Sequence, residues 1–336
     1  MSVVLELPRL AIIGAGFSGL ILARELDGHA DVTVFEKSSR VGGRIATCDG
    51  EGFQFDYGAQ FMTARSRAFK GYLKPLITAG HVNEWHPRTT TLGDDRKSYG
   101  RDWYEPHYIA VPSMNMLCQL VASGLNIMVN TEVQLLKRIS AGWLLRDSNN
   151  TYHGPFEWVV CAIPAPQAAG LLPASFVSYE KVAHTTMLSC YSLLLGFSRV
   201  PKIPWQAAVV KNSPIGWLAW QPSRPGRDNR AGLLLHSTNN WAEQHRNASP
   251  TCVQQILWCE LERLMAKTMP ELEYSRLHLW HYANIEISEE VSSDNEDCLI
   301  DHQLRLGVCG DWLMGGRVES AYLSGLALAK ELKQWL

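Results

Sequence analysis

The chain has 336 residues, 46% of them apolar and 19% charged, with a net charge of −2. That composition excludes a disordered chain, and the absence of a Lys/Arg cluster excludes a nucleic-acid surface. The length suits two domains of roughly 100–200 residues each, and the longest uncharged apolar runs, such as LSCYSLLLGF at 188–197, are too short to span a bilayer.

The opening MSVVLELPRLAIIG carries an early acid and no small-residue cleavage site, so it reads as the lead-in to a strand and not as a signal peptide. Residues 9–13 then predict a strand, 18–27 a helix and 32–35 a second strand, together a βαβ unit. FQFDY at 53–57 alternates as a strand does. The span 81–109 mixes aromatic and β-branched residues with polar turns and predicts short antiparallel strands. Pro112 is expected to open a helix through Ser123, since proline suits a first helical turn. Residues 125–147 read as strand, strand, a turn at Ser140-Ala141-Gly142, and strand. EWVVCAI at 157–163 is a continuous apolar run, the mark of a strand buried on both faces. Several antiparallel strands follow over 187–238. A helix is expected over about 250–268, with Ile256, Leu257, Leu261, Leu264 and Met265 on one face. The chain closes with a strand at 304–310 and a helix at 318–335.

Parallel-sheet elements thus stand at the start, middle and end, with antiparallel material between them. The expected fold is α/β: a Rossmann-like dinucleotide domain (1–62, 107–168 and 299–336) interrupted by an antiparallel-sheet plus helix domain (63–106 and 169–298). Eight scattered cysteines include no CxxC, and Cys118, Cys161, Cys190 and Cys309 sit in apolar runs. They read as buried reduced thiols of a cytoplasmic protein. His278 and His281 lack the spacing and carboxylate company of a zinc site, and no metal is expected.

The first strand runs into GAGFSG. Gly14 permits the tight turn, Gly16 lets the backbone approach a pyrophosphate, and Gly19 lets the helix pack on the strand. The helix N-terminus offers free N–H groups to phosphates. Glu36, twenty residues after Gly16, stands where an acid holds ribose hydroxyls and disfavours a 2′-phosphate. Just beyond it, Gly42-Gly43-Arg44 predicts a second close approach, with Arg44 as a charge-assisted donor to a long, fixed cofactor.

These residues, with FDYGAQFMTAR (55–65), YIAVPSMNML (108–117), WVVCAIPAPQA (158–168), LWHYA (279–283) and GVCGDWLMGGRVESAYLSG (307–325), resemble the flavin-containing amine oxidase superfamily. Within it they look most like the bacterial renalase-type oxidoreductases. The resemblance implies noncovalent FAD, wrapped by Gly14, Ala15, Gly16, Ser18 and Gly19, with Glu36 and Lys37 at the adenosine ribose. It puts Gly43 and Arg44 at the phosphates, Gly58, Ala59 and Gln60 beside the flavin ring, and Val133 at the adenine. Gly310 and Asp311 would lie by the ribityl chain. The turn at Arg317, Val318 and Glu319 would start a last helix aimed at the pyrimidine edge of the flavin, where a helix N-terminus favours the reduced ring.

Two enzyme chemistries compete: amine oxidation, and the one the renalase-type resemblance implies. The latter oxidises 2- and 6-dihydro isomers of NAD(P)H by hydride transfer to flavin N5, with molecular oxygen reoxidising the flavin to give hydrogen peroxide. Amine oxidases tend to carry an aromatic two places before the late Glu; here that place is Arg317, which would repel an ammonium. A dihydronicotinamide dinucleotide needs stacking, a carboxamide partner and exclusion of water, so no catalytic acid/base pair is expected. Gln60, Trp220, His236, Trp280, Tyr282 and Arg317 are the candidate substrate contacts. A flavin-bearing binding protein without turnover would instead show flavin absorbance that no substrate bleaches. No nucleic-acid or membrane partner is expected, and the protein is read as a monomer or weak homodimer.

Overall fold

The structure is a computed structural model that describes residues 6–93, 99–100, 104–266, 269–286 and 296–336. The start of the N-terminal lead-in and the last two residues of the helix expected to end at 268 lie outside them. Arg9–Ile13 and Trp158–Cys161 are apolar almost throughout, so they become the two central strands of a six-stranded sheet. Its order is Leu299–Asp301, Leu306–Val308, Trp158–Cys161, Arg9–Ile13, Asp31–Phe35 and Ile127–Met128. All pairings are parallel except that of the edge strand Leu299–Asp301. Ile13 is in register with both Phe35 and Cys161, and Cys161 with Val308. The carboxyl ends of strands from the start, middle and end of the chain therefore form one row, the place where open parallel sheets bind ligands.

The helix Phe17–Glu25 leaves this row directly after the first strand. Gly14 holds φ +104°, and a Cβ there would lie 2.6 Å from the Ala162 carbonyl oxygen. A Cβ on Gly19 would lie 2.2 Å from the Gly14 oxygen, so helix and strand meet only because the position is glycine. The final helix, Val318–Leu332, packs beside it and buries Leu328, Ala329 and Leu332 in the same core.

The second sheet has seven strands in the order Leu272–Ile285, Met187–Phe197, Ala231–Ser237, Ile215–Trp220, Ala207–Val210, Thr89–Leu92 and Tyr99–Gly100. Its centre is antiparallel, as expected. Thr89–Leu92, however, pairs in parallel with Ala207–Val210, while Val82–Glu84 pairs with Tyr108–Ala110 in a separate ribbon. The expected run of short antiparallel strands over 81–109 is thus split between two sheets. A parallel partner more than a hundred residues away is a tertiary choice that local alternation does not encode. Helix Pro250–Met265 covers one face through Val253, Leu257, Leu261 and Met265, with Ile256 and Leu264 half-buried at its margin. Ser249 caps it by accepting from the Cys252 N–H. The other face, carrying Leu194 and Leu234, packs on Phe53 and Phe55.

The helix expected from Pro112 begins only at Met116. The Met114 N–H is drawn to the buried carboxylate of Asp56, so the segment from Pro112 to Asn115 turns before the helix starts. Cys118, Cys161, Cys190 and Cys309 are buried free thiols as expected, but Cys252 and Cys259 are exposed on the covering helix. No helix among the described residues is long and apolar enough to cross a membrane.

Candidate functional site

A cavity of about 1350 Å³ runs from the glycine turn to the antiparallel sheet, larger than the roughly 300–1,000 Å³ of common small-ligand pockets. At one end, Gly16 presents bare backbone: a Cβ there would meet nothing within 4 Å. The helix after it has no side-chain cap, so its first-turn N–H groups are left for a ligand. Glu36 is buried and lines this end. Its Oε2 accepts from the Ala15 N–H at 2.9 Å and its Oε1 from the Ser38 N–H at 2.8 Å. Each oxygen keeps a lone pair for a ribose hydroxyl. Ser18 and Val133 also line the cavity, and Lys37 stands exposed at its edge.

The second glycine turn lies against the first, with the Gly42 N–H donating to the Ala15 oxygen at 2.8 Å. Asn115, which the sequence reading passed over, braces it: Nδ2 donates to the Val41 and Ile45 carbonyls at 2.7 and 2.9 Å. Arg44 does not stand free for phosphates. Its guanidinium forks onto Asp311 and also donates to the Ala283 carbonyl at 3.1 Å. Gly58, Ala59 and Gln60 run along the middle of the cavity, held by the Ala59 N–H on the Arg44 carbonyl at 2.8 Å. Gly310 anchors the opposite wall through its N–H to Ser324 Oγ at 2.9 Å. The final helix begins at this wall, with Gly316, Arg317, Val318 and Ala321 lining the cavity and no side-chain cap on its N-terminus.

At the far end, three donors converge on the Tyr57 carbonyl: Ser192 Oγ at 2.8 Å, His236 Nε2 at 3.0 Å and Trp280 Nε1 at 3.0 Å. Tyr57 stacks on Trp280 with ring centroids 5.0 Å apart, and His278 meets both rings edge-on. Burial lowers the pKa of His236 and of His278 to about 4, with nearby cations adding to the effect, so both rings are neutral at pH 7. The Arg317 side chain is exposed and lines the cavity without a hydrogen bond or ion pair to any described residue, its charge acting at longer range on Glu105. The Arg317–Glu319 bridge that its sequence allows is not formed.

Three further expected site residues are corrected. Trp220 is buried in the core beneath the covering helix, against Phe197, and does not reach the cavity. Side chains alternate across a strand, and Trp217, on the opposite face, lines the cavity instead. Glu319 turns away from the cavity and accepts from the Arg65 and Ser66 N–H groups at the start of helix Arg67–Thr78. Gln60 lines the cavity, but its side chain is spent on the protein: Nε2 donates to the Asp56 and Gly58 carbonyls, and Oε1 accepts from Arg224. Arg224 and Arg227 form a buried group with Asp56 behind Gln60. Desolvation lowers the Arg224 pKa to about 10. The sequence QPSRPGR at 221–227 reads as a polar loop and gives no sign of this burial.

Residues 12–76 match the NAD(P)-binding Rossmann-like domain family, and residues 102–333 match the family described as flavin containing amine oxidoreductase. Among curated proteins, tryptophan 2-monooxygenase of Rhizobium rhizogenes is 60% identical over 40 residues, 11% of this chain and 5% of that protein. The 4,4′-diapophytoene desaturase of Staphylococcus aureus (strain Newman) is 46% identical over 52 residues, 15% of this chain and 10% of that protein. These matches span a small fraction of either relative. Among solved structures, a candidate protoporphyrinogen oxidase of Exiguobacterium sp. 255-15 superposes with a TM-score of 0.79 at 13% identity, covering 98% of this chain and 99% of its own. Wild-type putrescine oxidase bound to putrescine gives 0.73 at 12% identity, covering 97% and 98%. At such identities the likeness is one of fold, the two-domain architecture of flavin-dependent oxidases.

Proposed function

The chain belongs to the flavin-containing amine oxidoreductase family, with FAD as its cofactor, and we propose that it oxidises misreduced dihydronicotinamide dinucleotides. The residues present fit the cofactor. Two uncapped helix N-termini, a bare Gly16 backbone and the Glu36 carboxylate face one continuous cavity. On this reading the 14–19 turn and the 42–43 turn hold the diphosphate, Glu36 the adenosine ribose, and Val133 the adenine. The 58–60 segment and the start of the final helix flank the ring. Lys37 stands at the adenosine edge, while Arg44 and Asp311 act as a joined pair beside the chain's middle section. The bound flavin supplies a two-electron acceptor that molecular oxygen reoxidises, with release of hydrogen peroxide.

One observation carries the substrate reading. The far end of the cavity holds an arginine whose side chain makes no ion pair among the described residues, and no free acid lines it. Of the carboxylates lining the cavity, Glu36 and Glu132 lie at the adenosine end and Asp311 is bound to Arg44. A cationic amine would meet the Arg317 charge with no carboxylate beside it in the lining, the nearby Glu105 being forked onto Arg65, whereas a dinucleotide brings phosphates to that charge. His236 and His278 are neutral there, and conjugate acids with a pKa of about 4 make them weak proton acceptors at pH 7. Loss of a hydride from a 2- or 6-dihydronicotinamide restores the aromatic pyridinium and requires no proton to be removed. The protein's part is to stack the ring against Tyr57 and Trp280, orient it and exclude water. Tyr282 completes that wall.

Oxidation of an amine is the second reading, favoured by the stacked Tyr57 and Trp280 rings, whose faces attract cations. Anaerobic mixing of the yellow holoprotein with 2- and 6-dihydro isomers, ordinary NADH and a panel of amines separates the two. Rapid bleaching is expected with the isomers; bleaching by an amine alone would overturn the proposal. Arg317→Tyr should weaken reduction by the dinucleotides more than it weakens FAD retention, and equal losses would make the arginine structural.

A further inference from the structure

We propose that His236 selects the amide form of the substrate ring, its Nδ1 lone pair accepting a hydrogen bond from the carboxamide nitrogen. This rests on the dihydronicotinamide reading above and assigns a contact within it. A carbonyl oxygen only accepts, so the 3.0 Å contact from His236 to the Tyr57 carbonyl requires the proton on Nε2. The ring is neutral, because burial opposes its charged form and Arg224 adds to that effect. A neutral imidazole protonated on Nε2 carries a bare lone pair on Nδ1.

Nothing in the described structure takes that lone pair. Nδ1 has no hydrogen-bond partner, yet it is not among the side-chain atoms sealed from solvent without one, and His236 lines the cavity. The Ser192 and Trp280 donors beside it point elsewhere. Ser192, its cross-strand neighbour, gives its hydroxyl proton to the Tyr57 carbonyl. The Trp280 indole N–H is shared between that carbonyl and Ser192 Oγ at 3.1 Å. The Tyr57 oxygen thus gathers three donors and leaves an acceptor facing the cavity beside stacked rings. A carboxamide has an N–H₂ group to give such an acceptor. A carboxylate in its place has only acceptors and would set lone pair against lone pair. Sites built around one hydrogen bond reject analogues that leave it unmade.

The test uses the holoprotein with two probe pairs: 6-dihydro-NAD against its nicotinic-acid analogue in anaerobic flavin bleaching, and free nicotinamide against nicotinate in perturbation of the visible flavin spectrum. Wild type should prefer the amide in both pairs, by roughly 10- to 100-fold. His236→Ala should abolish the preference while keeping bound flavin, and His236→Asn, which restores an acceptor, should recover part of it. Selective ¹⁵N-histidine NMR of the wild type, with the signal assigned by its loss in His236→Asn, should show an unprotonated Nδ1 between pH 6 and 8. A protonated Nδ1, an equal response of wild type to amide and acid, or a preference unchanged in His236→Ala would each overturn the inference. The NMR and wild-type measurements decide the matter even if the alanine variant does not fold. If no dihydro isomer bleaches the flavin but nicotinamide still perturbs it in a His236-dependent way, the substrate reading fails and the role of His236 stands.

Discussion

Arg44 and Asp311, 267 residues apart in the chain, close a forked ion pair across the middle of the cavity. One follows the second glycine turn and the other precedes the final helix, so the pair fastens the two ends of the chain beside the cofactor site. Both side chains are largely shielded from solvent. Asp311→Asn leaves the guanidinium half-satisfied and should lower thermal stability by about 1.5–3 kcal/mol, the worth of a charged hydrogen bond. Flavin retention should fall with it, measured by flavin absorbance after gel filtration. A variant as stable and as yellow as wild type would contradict the fastening role.

Gly16 and Gly19 lie three residues apart and should fail differently. A Cβ at Gly19 collides with the Gly14 backbone, whereas one at Gly16 meets nothing in the protein. Gly19→Ala should cost about 1–3 kcal/mol of apoprotein stability through overpacking. Gly16→Ala should leave the apoprotein melting point near wild type and weaken FAD binding. Equal behaviour of the two in apoprotein melting would refute the distinction.

Glu319 supports a helix start and not the cofactor. Removing its carboxylate strands the Arg65 and Ser66 N–H groups. Glu319→Ala should therefore destabilise by about 1–3 kcal/mol with the flavin spectrum unchanged. A shifted spectrum at unchanged stability would return Glu319 to the cofactor.

The two tryptophans of strand Ile215–Trp220 give a further contrast. Trp220→Ala empties a fully enclosed core position and should cost about 3–5 kcal/mol in denaturant unfolding, without altering KM in the surviving folded fraction. Trp217→Phe should raise KM with little change in stability. The reverse pattern would mean that the strand's faces are misassigned.

His236 gives stability a pH dependence of known sign. Its pKa is about 4 when folded and about 6.5 when unfolded, so between those values the unfolded chain binds the extra proton. The stability present above pH 6.5 is therefore lost as pH falls toward 4, at up to about 1.4 kcal/mol per pH unit from this group. His236→Asn should flatten that part of the curve in urea titrations at fixed pH. An unchanged slope would show that His236 stays charged when folded.

The sequence by itself determined whatever depends on contiguous residues. The βαβ unit, the glycine turn and Glu36 lie within thirty residues, and their spacing dictates a loop, a helix start and an acid at the strand end. The buried strand at 158–161 and the final helix were legible because an unbroken apolar run and a helical period are local signals. Only the tertiary structure decided where the polar side chains spend their hydrogen bonds. Gln60 faces Arg224 across 164 residues, and Glu319 reaches Ser66 across 253. Three donors from separate strands meet on Tyr57. Strand alternation alone exchanged Trp220 for Trp217, since the face that looks into the cavity is set by which sheet face the helix Pro250–Met265 covers. A buried polar group must find a partner wherever the fold brings one, and that partner is a matter of space and not of sequence distance.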